Sequence, residues 1–94
     1  MKHATPQDMH GFENILSRIR GILELKERTP LHFYYKGKGI IHFHVDSGTI
    51  YADVGTSRIM IGSNENPDSN AEELLYATIL REIHALQRKS SNSG

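Results

Sequence analysis

The chain has 94 residues, with 11 basic and 11 acidic side chains and no cysteine. That length suits one small domain, and a formal net charge of zero supplies no global field toward nucleic acid or an anionic membrane. The lack of cysteine excludes disulfides, thiolate zinc sites and a cysteine nucleophile, leaving histidine as the soft ligand of note.

No apolar run approaches the roughly 20 residues needed to span a bilayer, and the opening MKHATPQDMHG lacks the apolar stretch of a signal peptide. The expectation is a soluble cytoplasmic protein without a membrane partner. In chain order, Thr5-Pro6-Gln7-Asp8 combines a capping residue, a first-turn proline and an acid suited to the helix dipole. Phe12, Ile15, Leu16, Ile19, Ile22 and Leu23 then recur at helical spacing and predict a first helix over residues 6–26. Thr29-Pro30 closes it, because the residue before a proline avoids the helical region.

Four short strands follow, over residues 31–35, 40–45, 49–54 and 58–61. Their separators, KGKG, DSG and GTS, hold the glycine, aspartate and serine that tight turns require. An antiparallel meander is the natural arrangement. Asn66-Pro67-Asp68-Ser69, with Glu72 three residues after Ser69 as an alternative capping box, opens a second helix over residues 67–88. Ala71, Leu74, Leu75, Thr78, Ile79, Ile83 and Leu86 form its stripe. Residues 90–94, SSNSG, read as a frayed tail. The fold class is α+β: helix, four-stranded meander, helix, with both helices on one face of the sheet.

Opposed residues in an antiparallel pair point to the same side, so the hairpins can be tested for agreement about the wet face. A two-residue turn at Ser47-Gly48 pairs Val45 with Ile50, Phe43 with Ala52 and Ile41 with Val54. On the other side it sets His44 opposite Tyr51 and His42 opposite Asp53. A turn at Thr56-Ser57 keeps Ile59 and Ile61 with the apolar set and sends Arg58 and Met60 to the histidine side. In the first hairpin, a two-residue Gly37-Lys38 turn would put Leu31 and Phe33 on that polar side. A glycine bulge instead sends Leu31, Phe33 and Tyr35 to the core and brings His32 and Tyr34 to the histidines. KGKG is followed by a strand rather than a helix, so it shapes a hairpin and does not cradle a phosphate.

The candidate functional face is therefore His32, Tyr34, His42, His44, Tyr51, Asp53, Arg58 and Met60. Histidines at i and i+2 on a strand lie about 7 Å apart, within reach of one ion. With Asp53 they would make a two-histidine, one-carboxylate set for zinc, iron or manganese. Alternatively, Asp53 could orient His42 as a general base, although no nucleophile is placed by motif. Tyr34 and Tyr51 could stack on bases beside Lys36, Lys38 and Arg58, but three cations next to Asp46 and Asp53 argue against a nucleic-acid platform. Association with a second copy, through the face or an edge, is the favoured use, giving a homodimer. Two functions of different class follow: a non-enzymatic binding and assembly module, or a small metal-dependent or histidine-based enzyme.

The run LHFYYKGKGIIHFHVDSGTIYADVG, about 25 of the 94 residues, resembles a stretch of small uncharacterised bacterial proteins labelled luciferase-like domain. His42, His44, Ala52 and Asp53 fall at positions of that pattern. The resemblance implies attention to the same face, and it carries no reaction onto these residues.

Overall fold

The computed structural model describes residues 1–92. These residues form a six-stranded antiparallel sheet and two α-helices: β1 (Lys2–His3), α1 (Glu13–Arg20), β2 (Leu25–Thr29), β3 (His32–Tyr35), β4 (Lys38–Asp46), β5 (Thr49–Val54), β6 (Ser57–Ser63) and α2 (Ser69–Asn92). The sheet runs β2-β3-β4-β5-β6, and β1 pairs with the far end of β4, in line with β3. The class is α+β with an antiparallel meander between the helices, as the sequence pattern indicates. Two strands are additional to it, and the first helix is much shorter.

The expected helix over residues 6–26 is divided by its glycines. Thr5 and Asp8 do exchange capping bonds, the Thr5 amide donating to Asp8 Oδ2 at 2.8 Å and the Asp8 amide to Thr5 Oγ1 at 3.3 Å. Yet only a single 3-10 turn, Gln7–Met9, follows before Gly11 takes a φ of +96°. Asn64 Nδ2 donates to the carbonyls of Asp8 and His10, both at 2.6 Å, so a distant loop satisfies the groups that a continuing helix would have bonded. At the other end Gly21 caps α1, and Leu25–Thr29 leaves as a strand.

That strand, LKERT, has no β-favouring pattern, and tertiary contacts decide it. Glu27 accepts two bonds from Arg20, at 2.7 and 3.0 Å, and a third from the Leu31 amide at 2.9 Å. Pro30-Leu31 then forms the β2–β3 turn, with Thr29 paired to His32. Leu31 stands at φ +69°, a strained setting for a branched residue, while its side chain is buried at 1% exposure. The glutamate bond and that burial offset the strain.

The strand pairings test the register expectations directly. Between β4 and β5 the pairs are Ile41–Val54, His42–Asp53, Phe43–Ala52, His44–Tyr51 and Val45–Ile50, as the two-residue Ser47-Gly48 turn requires. Between β3 and β4 a bulge falls at Ile40, since Tyr34 faces Gly39 while Phe33 faces Ile41. Leu31, Phe33 and Tyr35 are buried accordingly. The last hairpin differs: its turn is Gly55-Thr56, one residue earlier than expected, so Asp53 faces Arg58 and Ala52 faces Ile59. Face assignments survive because the pairing moves by two residues, a whole side-chain period.

One buried cluster joins Ile15, Leu16 and Ile19 of α1, Leu75, Ile79 and Ile83 of α2, and the apolar side of the sheet. The helices are also linked at the surface, where Arg18 pairs with Glu73 and lies 4.1 Å over the Tyr76 ring. The cap of α2 is Asp68 rather than Asn66 or Ser69, its Oδ1 accepting from the Ala71 amide at 3.0 Å. With no proline or glycine before Asn92, the helix continues past residue 88 and through 90–92 of the segment expected to fray. Ser93 and Gly94 lie outside the described residues. No helix among those residues is long and apolar enough to cross a membrane.

Gly62 holds the return from β6 to α2. Its φ is +103°, and a Cβ there would stand 2.4 Å from the Asn66 carbonyl oxygen. Gly48 has a similar φ of +81° but open space around it. Gly62→Ala should therefore cost at least about 1 kcal/mol more than Gly48→Ala in urea unfolding, the difference isolating the clash from the backbone strain that both share.

Candidate functional site

Alternation along β4 sends Ile41, Phe43 and Val45 to the core and His42 and His44 to the opposite side, where they are half-buried. The bulge at Ile40 allows β3 to agree, adding His32 and Tyr34, and β5 adds Tyr51 and Asp53. Arg58 and Met60 come from β6, at the outer side of the same surface. The structure thus gathers every residue assigned to the face.

It also supplies one that sequence patterning missed. His3, on the two-residue β1, is paired with His44, and its ring centroid lies 4.8 Å from that of His44 and 5.2 Å from that of His32. His32 in turn meets His42 edge-on at 5.0 Å. Four of the six histidines therefore form one continuous row, His42-His32-His3-His44. A strand of two residues has no periodicity, so nothing near residue 3 signals its place.

The acid-base pairing is also redistributed. His42 is the backbone partner of Asp53, but the side chain that reaches the carboxylate is His44, diagonally, with Nε2 3.0 Å from Oδ2. Arg58 binds both oxygens of Asp53, Nε to Oδ1 at 2.7 Å and a terminal nitrogen to Oδ2 at 2.9 Å. The His42–Asp53 base expected from register therefore does not form. His42 instead turns toward His32, and its Nδ1 is buried without a hydrogen-bond partner. Gly39 lies beside that ring, and a Cβ there would press on the Tyr34 ring at 3.2 Å while meeting His42 Nε2 at an ordinary contact distance of 3.5 Å.

These contacts bear on metal binding. Among the described residues no group of three or more histidine, aspartate or glutamate side chains is placed to hold one ion. His42, His44 and Asp53 do not gather as the spacing suggested, because Asp53 is chelated by a guanidinium and His42 is aimed elsewhere. The row of rings in partly stacked and edge contacts is an array packed side by side, not a converging ligand set. Tyr34 is flanked by Arg28 of β2, whose guanidinium lies 5.6 Å from the ring centroid.

Burial pushes the His32 imidazole below its ordinary 6.5, and the neighbouring His42 and His3 add to that depression. Asp53 is held below its ordinary 3.8, chiefly by the Arg58 hydrogen bonds, with burial opposing and His44 and His42 contributing smaller attractions.

No protein family, curated protein or solved structure matches this chain.

The Asp53 carboxyl supports folding when ionised, so its contribution is present above 3.8 and is lost as pH falls through the lower folded-state value. Arg58→Gln should move the NMR-detected titration midpoint of Asp53 upward toward 3.8 and weaken the acid dependence of stability below that pH. An unchanged midpoint would show that the guanidinium does not govern the carboxyl.

Proposed function

We propose that this chain is a small cytoplasmic binding and assembly module that forms a homodimer through the open face of its sheet. The observation that supports this best is the charge state of that face. Asp53 and Arg58 cancel one another, and around them stand half-buried tyrosines and imidazoles with Met60 at 53% exposure. The balanced pair at its centre meets a copy of itself without net charge, and the ring bodies and Met60 offer apolar area to bury.

The sheet edges favour association less. β2 carries Lys26, Glu27 and Arg28, charges that discourage strand addition. The outer edge of β6 is partly closed by its own chain, since the Asp68 amide donates to the Ile61 carbonyl at 3.0 Å and Gly62 bridges Pro67. A nucleic-acid platform is disfavoured for a similar reason: of Lys36, Lys38 and Arg58, the last is engaged by Asp53. The luciferase-like resemblance of residues 31–55 covers β3 to β5 and draws attention to this surface without adding a reaction.

The second reading is a small metal-dependent or histidine-based enzyme. Its support is the His44–Asp53 contact at 3.0 Å, which orients an imidazole for proton transfer. Light scattering coupled to size exclusion, with metal analysis of the same untagged preparation, separates the two. The dimer reading expects twice the 10.6 kDa chain mass at neutral pH, returning to a single chain mass in Met60→Glu. A wild-type monomer at high micromolar concentration would overturn it. Stoichiometric zinc, iron or manganese, lost in His42→Ala and His44→Ala, would favour the enzyme.

A further inference from the structure

β1 is the least secured strand of the sheet. It has two residues, Lys2 and His3, both exposed, and its backbone pairs with β4 alone, at Val45 and His44, extended by the Ala4 amide donating to the Phe43 carbonyl at 2.9 Å. Its other anchor is the His3 ring, which sits between the rings of His44 and His32 with interplanar angles of 32° and 38°. Beneath it, Ala4 is buried at 8% exposure.

Partly stacked imidazoles attract as neutral rings and repel as imidazolium ions. We propose that the row His42-His32-His3-His44 makes β1 an acid-released latch: protonation expels His3 from between its neighbours and frees the edge of β4 near residues 43–45. This goes beyond the assembly reading and does not depend on it.

The surrounding charges do not relieve that repulsion. From β5, Asp53 reaches His44, but Arg58 of β6 already matches its charge. From β4, Asp46 shares the side of His44 two residues along, but it is exposed and stands beyond the His44 end of the row; His42 and Tyr51 supply no anion, and from β3 and β2 the neighbours are Tyr34 and the cationic Arg28. On β1 itself, Lys2 adds a cation and no anion. Full protonation would therefore place four like charges in a row whose adjacent centroids are 4.8 to 5.2 Å apart, with no free carboxylate between them.

The low folded-state position of His32 agrees with this direction. Part of that depression comes from His3, so releasing β1 lets His32 take up a proton more readily, and the closed arrangement weakens as pH falls.

The test is NMR on the full chain at pH 7.5 and pH 5.0. At the higher pH, ring-to-ring Overhauser contacts should join His3 to His32 and His44, and the Ala4 amide should be protected from exchange after correction for intrinsic rates. At the lower pH the contacts should vanish and Ala4 protection should fall at least tenfold, while the mid-sheet Ala52 amide keeps its protection. His3→Phe retains a ring without a titrating nitrogen, and should hold β1 in place at both pH values. Persistence of β1 in the wild type at pH 5.0, equal loss in wild type and His3→Phe, or simultaneous loss at Ala52 would each overturn the latch.

Discussion

The placement of β4 is the constraint on which the rest of the molecule depends. It pairs with β5 along one side and with β3 and β1, end to end, along the other. Any slip of one residue would bury His42 and His44 and expose Ile41, Phe43 and Val45, exchanging the core for the site. The bulge at Ile40 lets one strand satisfy both neighbours: Ile40 and Ile41 are both buried, at 2% and 0% exposure, and beyond them the alternation of β3 comes into step with that of β5.

The polar face is a consequence of that step, and its chemistry is set by who reaches whom across it. A carboxylate on a sheet usually has its direct cross-strand partner to hand. Here Asp53 has a direct partner on each side, His42 from β4 and Arg58 from β6, and the guanidinium binds both oxygens. A planar fork matching a carboxylate outcompetes a ring offering a single nitrogen. With Asp53 so engaged, His44 shares one oxygen diagonally and His42 joins the other imidazoles. The face becomes a row of weak bases beside a neutralised ion pair, which suits reversible contact and response to protons more than a fixed ligand set.

The legibility of this molecule in its sequence follows the range of the forces involved. The hairpin from Ile40 to Val54 was readable because alternation and an Asp-Ser-Gly turn specify the same register independently. The face assignment of Arg58 and Met60 was readable for the same reason, although the turn itself lies at Gly55-Thr56. The first helix misled because its apolar stripe starts at Phe12 and continues across Gly21, and all of it but the exposed Leu23 serves the core from a turn, a short helix and a loop. LKERT was unreadable as a strand, since Arg20 and the Leu31 amide hold Glu27 from outside the segment.

The sequence by itself determined the α+β class, the two faces of the central hairpin and the share of the polar surface that β3 to β6 supply, because side-chain period and turn chemistry are local properties. Only the tertiary structure decided that His3 completes the imidazole row, that Asp53 belongs to Arg58 and His44, and that the N-terminal helix yields to a turn, a short helix and an edge strand. The first and last of those outcomes rest on contacts between segments tens of residues apart, such as Asn64 on the carbonyls of Asp8 and His10. No pattern within either segment encodes the meeting, since the bond exists only once the sheet has brought both loops to one end.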